Sequence, residues 1–363
     1  MNICFVCISL RSGGTERIVK EAANYVSRMH DVSVILLSNE TPFHVLDSRV
    51  NLIQPPVGRR KVEGLKWYFS IVRYLWDSIS RVKPEIVLCF GEHIAPLVLL
   101  ISRLNRIRAL VFNRASPLSS LRGIRGFVNP IFYPLSQSVI VQTERSVGLM
   151  RQRYPYTNFR TWPNPVSIPR EIRSIVERPN VILNVGTLGG RKNQKAIISA
   201  FSQANDWRRW RLVLVGEGPD RDALARLCVD LGVADNVFFE GQRSDVSRFL
   251  GAARIFAFSS LTEGFPNALA EALAAGCACV SFDCPTGPAE LITHNVNGLL
   301  VQNGNDMEFA QELDKLMGDE SLQIRLSAAA REDIKRFSSE RVLAELERLI
   351  FARKDNGEPK VFY

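Results

Sequence analysis

A chain of 363 residues, with 46% hydrophobic and 23% charged side chains, is long enough for two folded domains and has the composition of a globular protein, which excludes a largely disordered chain. Its longest apolar runs fall short of the roughly 18 residues that a membrane-spanning helix requires, and we expect its first residues to form a buried strand, not a signal peptide. The net charge of +9 is uneven, because residues 1–165 hold 22 Lys and Arg against 10 Asp and Glu.

The basic first half predicts an anionic partner. An anionic membrane surface and a phosphate-bearing ligand both fit a net charge of +12 over residues 1–165. Nucleic acid is the competing partner, but the sequence contains no recognised nucleic-acid-binding module and no basic–aromatic repeat. We therefore expect no nucleic acid partner.

Cysteines and histidines give no sign of a metal site. The seven cysteines are scattered, and an odd number without regular spacing favours reduced thiols in a cytoplasmic protein. Cys4 and Cys7 lie in a strand pattern and point to opposite faces, so we interpret them as packing residues. The four histidines lack metal-ligand spacing. The sequence predicts neither a bound metal nor a cofactor.

Short apolar runs alternate with amphipathic segments along the whole chain. This alternation predicts an α/β protein with two doubly wound, Rossmann-like parallel-sheet domains that face a central cleft. The Pro-rich stretch from Trp162 to Pro169 is the predicted link, which gives domains at 1–165 and 166–337, with a final helix in 338–363. The predicted strands are NICFVCI, DVSVILL, EIVLCF, ALVFNR and SVIVQT in the first half, and NVILNVG, WRLVLVGEG, VFFEG, RIFAFSS, ACVSFD and GLLV in the second.

The first glycine-rich turn, SLRSGGTERIV, follows the first strand and opens a helix. Gly13 and Gly14 let the backbone turn tightly and approach a ligand, and amides at a helix N-terminus can hold an anion. Glycines at such a turn are often turn formers only. The position at the end of the first strand favours the ligand interpretation.

An aromatic and basic helix is predicted from Gly64 to Lys83. Core packing is the default interpretation of its apolar stripe. The alternative is an interfacial helix that lies on lipid headgroups, which the neighbouring Arg59–Lys61 favours.

A second glycine loop, NVGTLGGRKNQ, opens the second half. Gly186, Gly189 and Gly190 make it an open loop, and Arg191 and Lys192 stand where the next helix begins. Cations are unfavourable at a helix N-terminus. Two of them there indicate a bound diphosphate, with a solvated surface pair as the alternative.

The stretch TEGFPNALAEALAAG places two glutamates around a turn and a helix start. Proline suits the first helical turn, so the helix is predicted to begin near Pro266 or Asn267. Glu263 then lies on the loop, and Glu271 about one turn into the helix. Between them the amides of Asn267, Ala268 and Leu269 form an anion site, and each carboxylate can accept hydrogen bonds from vicinal hydroxyls. The pattern indicates a nucleotide-sugar.

The residues from Glu263 to Glu271 form an E-x7-E pattern, which occurs here in order with SGGTER, RKNQ, VGEGP, EGQRSDV and CPTGPAELI. With this ordered set the chain resembles the retaining glycosyltransferases of family 4, which have the two-domain GT-B fold. The resemblance covers most of the chain and is strongest from Asn184 to Val301. It implies transfer of a hexose or N-acetylhexosamine from a nucleotide-diphosphate sugar, UDP-linked by preference, to a saccharide or polyprenyl-diphosphate-linked acceptor. Assembly of envelope polysaccharide at the cytoplasmic face of a membrane is the implied setting.

The resemblance also assigns roles to residues. It implies that Glu263 binds the donor sugar, that Glu271 binds the ribose, and that Lys192, aided by Arg191, neutralises the diphosphate. The first domain is implied to bind the acceptor, the second the donor, and the final helix to pack back on the first domain. Stabilisation of the leaving group by cations and helix amides needs no metal. Further implied donor contacts are Gly13, Gly14, Gly186, Thr187, Gly241, Arg243, Gly264, Phe265, Asn267, Ala268 and Leu269.

Two positions depart from the family pattern. Thr187 stands where the family commonly has an arginine, and Arg191 is the candidate substitute. Asn113 and Arg114 stand where many relatives carry a histidine, which leaves His93 as a candidate lining residue. The D-x-D at Asp220 follows VGEGP at a predicted helix start, so we interpret it as a helix cap and not as a metal site.

Two rival functions remain open from the sequence. A nicotinamide-dependent oxidoreductase is suggested by VGEGP, but no complete G-x-G-x-x-G follows. A nucleotide-sugar-binding protein without turnover is the second rival. The presence of Glu263, Lys192 and Glu271 counts against it.

Overall fold

The computed structural model of the protein describes residues 1–11, 13–56, 65–117 and 123–352, with the side chains of 65–68, 124 and 125 excepted. The chain divides into two compact α/β units, of which one comprises Met1–Asn164 and the chain from Glu340, and the other Pro165–Ser339. The predicted basic stretch Arg59–Lys61 and the predicted segment 353–363 lie outside the described residues. No helix in the described part of the chain has the length and apolarity needed to cross a bilayer.

The first unit has a seven-stranded sheet in which all strands are parallel, in the order β3-β2-β1-β4-β5-β6-β7. Five of these strands match the predicted ones, whereas the short β3 and β7 were not predicted. The strands are β1 (Asn2–Cys7), β2 (Asp31–Leu36), β3 (Val50–Ile53), β4 (Ile86–Phe90), β5 (Arg108–Phe112), β6 (Ser138–Val141) and β7 (Phe159–Thr161), and the helices are α1 (Gly14–Val26), α2 (Leu65–Val82), α3 (Ala95–Leu104), α4 (Gly123–Phe132) and α5 (Glu144–Arg153).

The second unit has a six-stranded parallel sheet in the order β10-β9-β8-β11-β12-β13, and all six strands were predicted. Both sheets are doubly wound, as expected from the alternation of strands and helices. The strands are β8 (Val181–Val185), β9 (Arg211–Val215), β10 (Val237–Gly241), β11 (Ile255–Phe258), β12 (Ala278–Asp283) and β13 (Leu299–Gln302), and the helices are α6 (Gln194–Gln203), α7 (Arg221–Asp230), α8 (Val246–Ala252), α9 (Asn267–Ala274), α10 (Pro288–Leu291), α11 (Asp306–Gly318) and α12 (Glu320–Asp333).

Strand β1 shows how the first sheet is buried on both faces. Cys7 packs with α1 on one face, and Cys4 packs with α2 and α3 on the other. Both thiols are free and buried, and burial raises the pKa of Cys4 to about 12. Because successive side chains of a strand alternate in direction, the predicted opposite orientation of the two cysteines is confirmed.

Helix α2 has two different sides. Leu75 and Ile79 are fully buried, and the hydroxyl of buried Tyr74 donates to the carbonyl oxygens of Leu36 at 3.0 Å and Ile53 at 3.2 Å. The core-packing interpretation holds for this side of the helix. The opposite side presents large apolar residues to solvent.

The last described helix, α13 (Ser339–Phe351), completes the core of the first unit. Its apolar residues pack into the cluster that contains α1 and one face of β1. Trp162, which has no exposed surface, donates its indole N–H to the carbonyl oxygen of Val342 at 2.7 Å. The indole also contacts Phe112 edge to face, with ring centroids 5.4 Å apart.

A Trp162→Phe variant should therefore lose about 2 kcal/mol of unfolding free energy, because the buried hydrogen bond from the indole to Val342 would be lost and the smaller ring would leave a cavity. Urea unfolding followed by far-UV circular dichroism measures this loss. Tyr156→Phe, at a residue that is 90% exposed, is the control and should stay within about 0.5 kcal/mol of wild type. Equal urea midpoints for both variants would contradict the prediction.

Candidate functional site

The order of strands in the second unit reverses between β8 and β11, which lie side by side at the centre of the sheet. In an open parallel sheet, the loops that leave the carboxyl ends of two such strands diverge and leave a crevice. Lys192 lies in the loop after β8, and Glu263 lies in the loop after β11. The topology therefore brings both predicted residues to one crevice.

An ion pair joins these two loops. The ammonium of Lys192 donates to Oε1 of Glu263 at 2.7 Å, although the residues are 71 positions apart in sequence. Their side chains are only 24% and 15% exposed, and the ammonium lies 5.7 Å from the ring centroid of Phe258. Partial removal from water strengthens the attraction between the two charges. The pair therefore places a cation beside a carboxylate that can accept hydrogen bonds from hydroxyl groups.

The backbone around the pair is fixed by further hydrogen bonds. Ser259, which has no exposed surface, places its hydroxyl 2.8 Å from the carbonyl oxygens of both Lys192 and Asn193. The amide of Leu261 donates to the carbonyl of Arg191 at 2.9 Å, and the hydroxyl of Thr286 donates to the carbonyl of Glu263. These hydrogen bonds connect the loops after β8, β11 and β12 to one another.

Helix α9 begins beside this pair. It starts at Asn267, as predicted, so Glu263 lies on the loop and Glu271 one turn into the helix. The amide of Asn267 donates to the carbonyl of Phe265 at 3.0 Å, which corrects the prediction that it is free for an anion. The amides of Ala268 and Leu269 belong to the first turn, where a helix supplies no acceptor. Within the described part of the chain, the amides of Ala268 and Leu269 therefore remain for an anion.

The turn before α9 presents main-chain groups, not side chains, to a ligand. The side chain of Phe265 is 5% exposed and packs edge to face on Phe337, with ring centroids 5.8 Å apart, so a ligand can meet only its backbone. Gly264 and Pro266 lie against Gly287, which has a φ of +106°; a Cβ built on Gly287 would stand 2.5 Å from Pro266 Cδ. The side chain of Leu269 is likewise fully buried.

Several further predicted donor residues lie near these loops in the second unit. Thr187 and Arg191 are exposed, and the side chain of Lys192 crosses Gly186, where a Cβ would stand 3.4 Å from Lys192 Cε. Gly241 ends β10 with a φ of +68°. Arg243 donates through Nε to Asp245 at 3.1 Å, and this hydrogen bond lowers the pKa of Asp245.

Asp220 occupies the N-cap position of α7, but its side chain makes no capping hydrogen bond. Asp220 therefore lies at the predicted position, the helix start, but its side chain does not form the predicted capping hydrogen bond. The described residues contain no group of His, Cys, Asp and Glu that could hold a metal ion.

A second recess lies at the reversal of strand order in the first unit, between the ends of β1 and β4. It has a volume of about 240 Å³ and is lined by residues that include Ser9, Glu16, Glu92, His93 and Arg114. Four of them follow strands β1, β4 and β5 directly, which explains why they meet. His93 lines this recess, and its role at a substrate site stays a prediction.

Arg114 is held by aromatic rings and carbonyls. Its Nη1 donates to the carbonyl of Trp162 at 2.8 Å, and its guanidinium lies 4.3 Å from the indole ring of that residue. Burial lowers the pKa of Arg114 to about 9. At the start of α1, a Cβ built on Gly13 would stand 2.1 Å from Glu16 Oε2, so the carboxylate of Glu16 lies at the helix end where an anion was predicted near Gly13 and Gly14.

Comparison with known proteins agrees with these features. A family model described as "Glycosyl transferases group 1" matches residues 168–333, and one described as "Glycosyltransferase Family 4" matches residues 12–170. An uncharacterized glycosyltransferase of Haemophilus influenzae is 25% identical over 337 residues, which cover 92% of this chain and 95% of that protein.

Two further comparisons concern substrate classes. The N-acetylgalactosamine-N,N'-diacetylbacillosaminyl-diphospho-undecaprenol 4-alpha-N-acetylgalactosaminyltransferase of Campylobacter jejuni is 24% identical over 357 residues, covering 92% of this chain and 95% of that protein. The crystal structure of Anabaena Alr3699/HepE in complex with UDP superposes with a TM-score of 0.79 at 18% identity and covers 96% of this chain and 99% of that one. At this identity, the likeness to HepE is one of fold.

Proposed function

Because this chain belongs to the family 4 type of glycosyltransferases and has their GT-B fold, we propose that it transfers a hexose or N-acetylhexosamine from a UDP-sugar to a saccharide carried on a polyprenyl diphosphate. We further propose that transfer retains the anomeric configuration, needs no metal ion and takes place at the cytoplasmic face of a membrane in the synthesis of an envelope glycan.

Two comparisons support the proposed substrates. The Campylobacter relative is named for an acceptor saccharide on diphospho-undecaprenol and for transfer of N-acetylgalactosamine. The HepE structure contains UDP. The net charge of +12 in residues 1–165 is complementary to a diphosphate-linked acceptor and to anionic lipid. We therefore assign the acceptor to the first unit and the donor to the second.

The ion pair between Lys192 and Glu263 carries the proposal. A diphosphate at the first turn of α9 would accept hydrogen bonds from the amides of Ala268 and Leu269 and from the ammonium of Lys192. Glu263, already fixed by that ammonium, would accept hydrogen bonds from hydroxyls of the donor sugar. Glu271, one helical turn further on, is assigned to the ribose.

In the proposed reaction the bond between the anomeric carbon and the β-phosphate oxygen breaks, and the acceptor oxygen forms a bond to that carbon on the same face. The acceptor proton passes to the departing phosphate. Lys192 and the amides of α9 stabilise the charge that develops on the leaving diphosphate, which is the contribution that a metal ion would otherwise supply. Arg191, exposed beside Lys192, is the proposed second cation.

A donor panel tests this proposal. Purified full-length protein is incubated with UDP-, GDP- and ADP-sugars and a polyprenyl-diphosphate saccharide extract, with and without EDTA, and released nucleoside diphosphate is measured. We expect release of UDP alone, unchanged by EDTA. Release that EDTA abolishes would contradict the metal-free mechanism, and UDP binding without transfer to any acceptor in the extract would favour a binding protein. An absorbance change at 340 nm with nicotinamide cofactors would favour the oxidoreductase.

A further inference from the structure

Helices α2, α3 and α4 form a layer on one face of the first unit's sheet. Tyr74 and Leu75 of α2 and Val98 and Leu99 of α3 pack in one cluster with strand residues of that face. Helix α4 contacts α3, and its last residue, Phe132, packs against the same cluster. The three helices are therefore neighbours in one layer, with α3 in contact with both α2 and α4.

The outward sides of these helices carry several exposed apolar side chains. Each helix exposes large apolar side chains at spacings of three or four residues, which is one face of a helix. Phe127 and Ile131 of α4 are 73% and 69% exposed, and Phe69 of α2 is 68% exposed. We call the set the apolar face: Phe69, Val72, Trp76, Leu100, Leu104, Phe127 and Ile131. Single exposed apolar residues are ordinary, but seven on three adjacent helices mark an interaction surface.

The charge around the apolar face has one dominant sign. Helices α3 and α4 contain no Asp or Glu. Arg103 and Arg106, at the end of α3, are exposed and line an open cavity of about 990 Å³ together with Arg108. Among the described residues of this region, Asp77 lies 3.7 Å from Arg73 on α2, and Glu85 lies in the wall of the cavity.

We propose that the apolar face docks on an anionic lipid bilayer. Its aromatic and aliphatic side chains would enter the boundary between headgroups and acyl chains, and the arginines at its edge would bind lipid phosphates. A second copy of this chain fits less well, because an isologous dimer would bring the same arginine-rich surface against itself. A flat partner with negative charge over an apolar interior matches both properties of the surface.

This inference extends the proposed function, since it specifies the surface by which the enzyme reaches a lipid-linked acceptor. Sedimentation of full-length protein with vesicles of phosphatidylcholine, alone or mixed with phosphatidylglycerol, tests it. We expect binding to the mixed vesicles that weakens with salt. The double variant Phe127→Ser, Ile131→Ser should lower the partition coefficient about tenfold or more, because both apolar side chains would leave the bilayer.

A charge variant and matched controls complete the test. Arg103→Gln with Arg106→Asn should lower binding to mixed vesicles about tenfold or more and change binding to phosphatidylcholine little; asparagine is chosen because Arg106 has a φ of +57°. The controls in the second unit are Val229→Ser with Met307→Ser, which are 67% and 71% exposed, and Arg226→Gln. These should bind vesicles as wild type does.

Two outcomes would overturn the inference. In the first, wild type and the Phe127→Ser, Ile131→Ser variant bind vesicles equally. In the second, wild type does not bind vesicles but forms a dimer in analytical ultracentrifugation, and the variant does not form this dimer. A second copy of the chain would then be the partner that covers the apolar face. UDP-sugar transfer to a short water-soluble saccharide should be unchanged in the face variants, so failure of the proposed function is measured separately.

Discussion

Glu263→Gln is expected to lower kcat about 10²–10³-fold while leaving the fold intact. The amide keeps the shape of the carboxylate but loses the charge that pairs with Lys192 at 2.7 Å, so the ammonium and the donor sugar are both less well positioned. The loop itself remains held, because Thr286 bonds the carbonyl of Glu263 and Ser259 bonds that of Lys192. Initial rates of UDP release with saturating acceptor measure the effect.

Lys192→Ala should lower kcat by a similar factor, since it removes the cation assigned to the leaving diphosphate. The double variant Lys192→Ala, Glu263→Gln should lose much less than the product of the two single losses, because the residues act as one pair. A product of independent losses would show that the ion pair has no role in catalysis. Wild-type kcat in Lys192→Ala would remove the basis of the proposed site.

Arg191→Ala is the comparison variant for this series. The guanidinium is exposed, whereas its carbonyl is fixed by the amide of Leu261. Alanine keeps that backbone bond, so any loss of activity reports on the side chain alone. A loss smaller than that in Lys192→Ala, with a larger effect on KM than on kcat, is expected of a peripheral second cation.

The close approach of Lys192 and Glu263 follows from features that sequence displays. Each residue comes shortly after a β-branched or apolar run, and glycines or a proline mark the turns between them. In a parallel sheet the turns that follow the strands lie at the same edge, whatever the separation of these turns along the chain. The helix start at Asn267 was predictable for a different reason, since Pro266 restricts the backbone there.

Short edge strands and local hydrogen bonds were not predictable in this way. Strand β3 buries Val50 and exposes the next two residues, and β7 has three residues, so neither shows the long apolar run of a central strand. The bond from the amide of Asn267 to Phe265 depends on the exact path of the turn. No residue type signals it.

Arg178 is the clearest residue that the sequence did not reveal. It lies between the predicted link and strand β8, yet it is 3% exposed and donates to the carbonyls of Ala253 at 2.8 Å and Ala275 at 2.7 Å. Burial lowers its pKa. Arg178 also donates to the carbonyl of Arg173. All three acceptors are main-chain oxygens, which have no signature in the sequence, and two of them are far away along the chain. Periodicity predicts which elements pack, but not which polar side chain is enclosed between them.

The loop that contains Lys192 packs closely against Gly218. A methyl group added at Gly218 is therefore expected to have a large effect. A Cβ built on Gly218 would stand 2.1 Å from the carbonyl oxygen of Leu188 and 2.6 Å from its carbon. The same carbonyl accepts a hydrogen bond from the amide of Asp220 at 3.1 Å, and the amide of Leu188 donates to Glu217 at 3.0 Å. The glycines of VGEGP are thus needed for the contact between two loops, which explains them without a nicotinamide cofactor.

Gly218→Ala should therefore lower the unfolding free energy by about 3 kcal/mol and weaken UDP binding, because the backbone of Leu188 cannot move without displacing the loop that ends at Lys192. Urea midpoints and calorimetric titration with UDP measure the two effects. Gly190→Ala is the matched control in that loop: a Cβ there meets nothing within 4 Å among the described residues, and the backbone is not left-handed. It should be neutral or stabilise by about 0.5 kcal/mol, through the unfolded state. If both variants lost UDP affinity equally, the loop would contact the nucleotide at Gly190 itself, and support from Gly218 would not be the controlling factor.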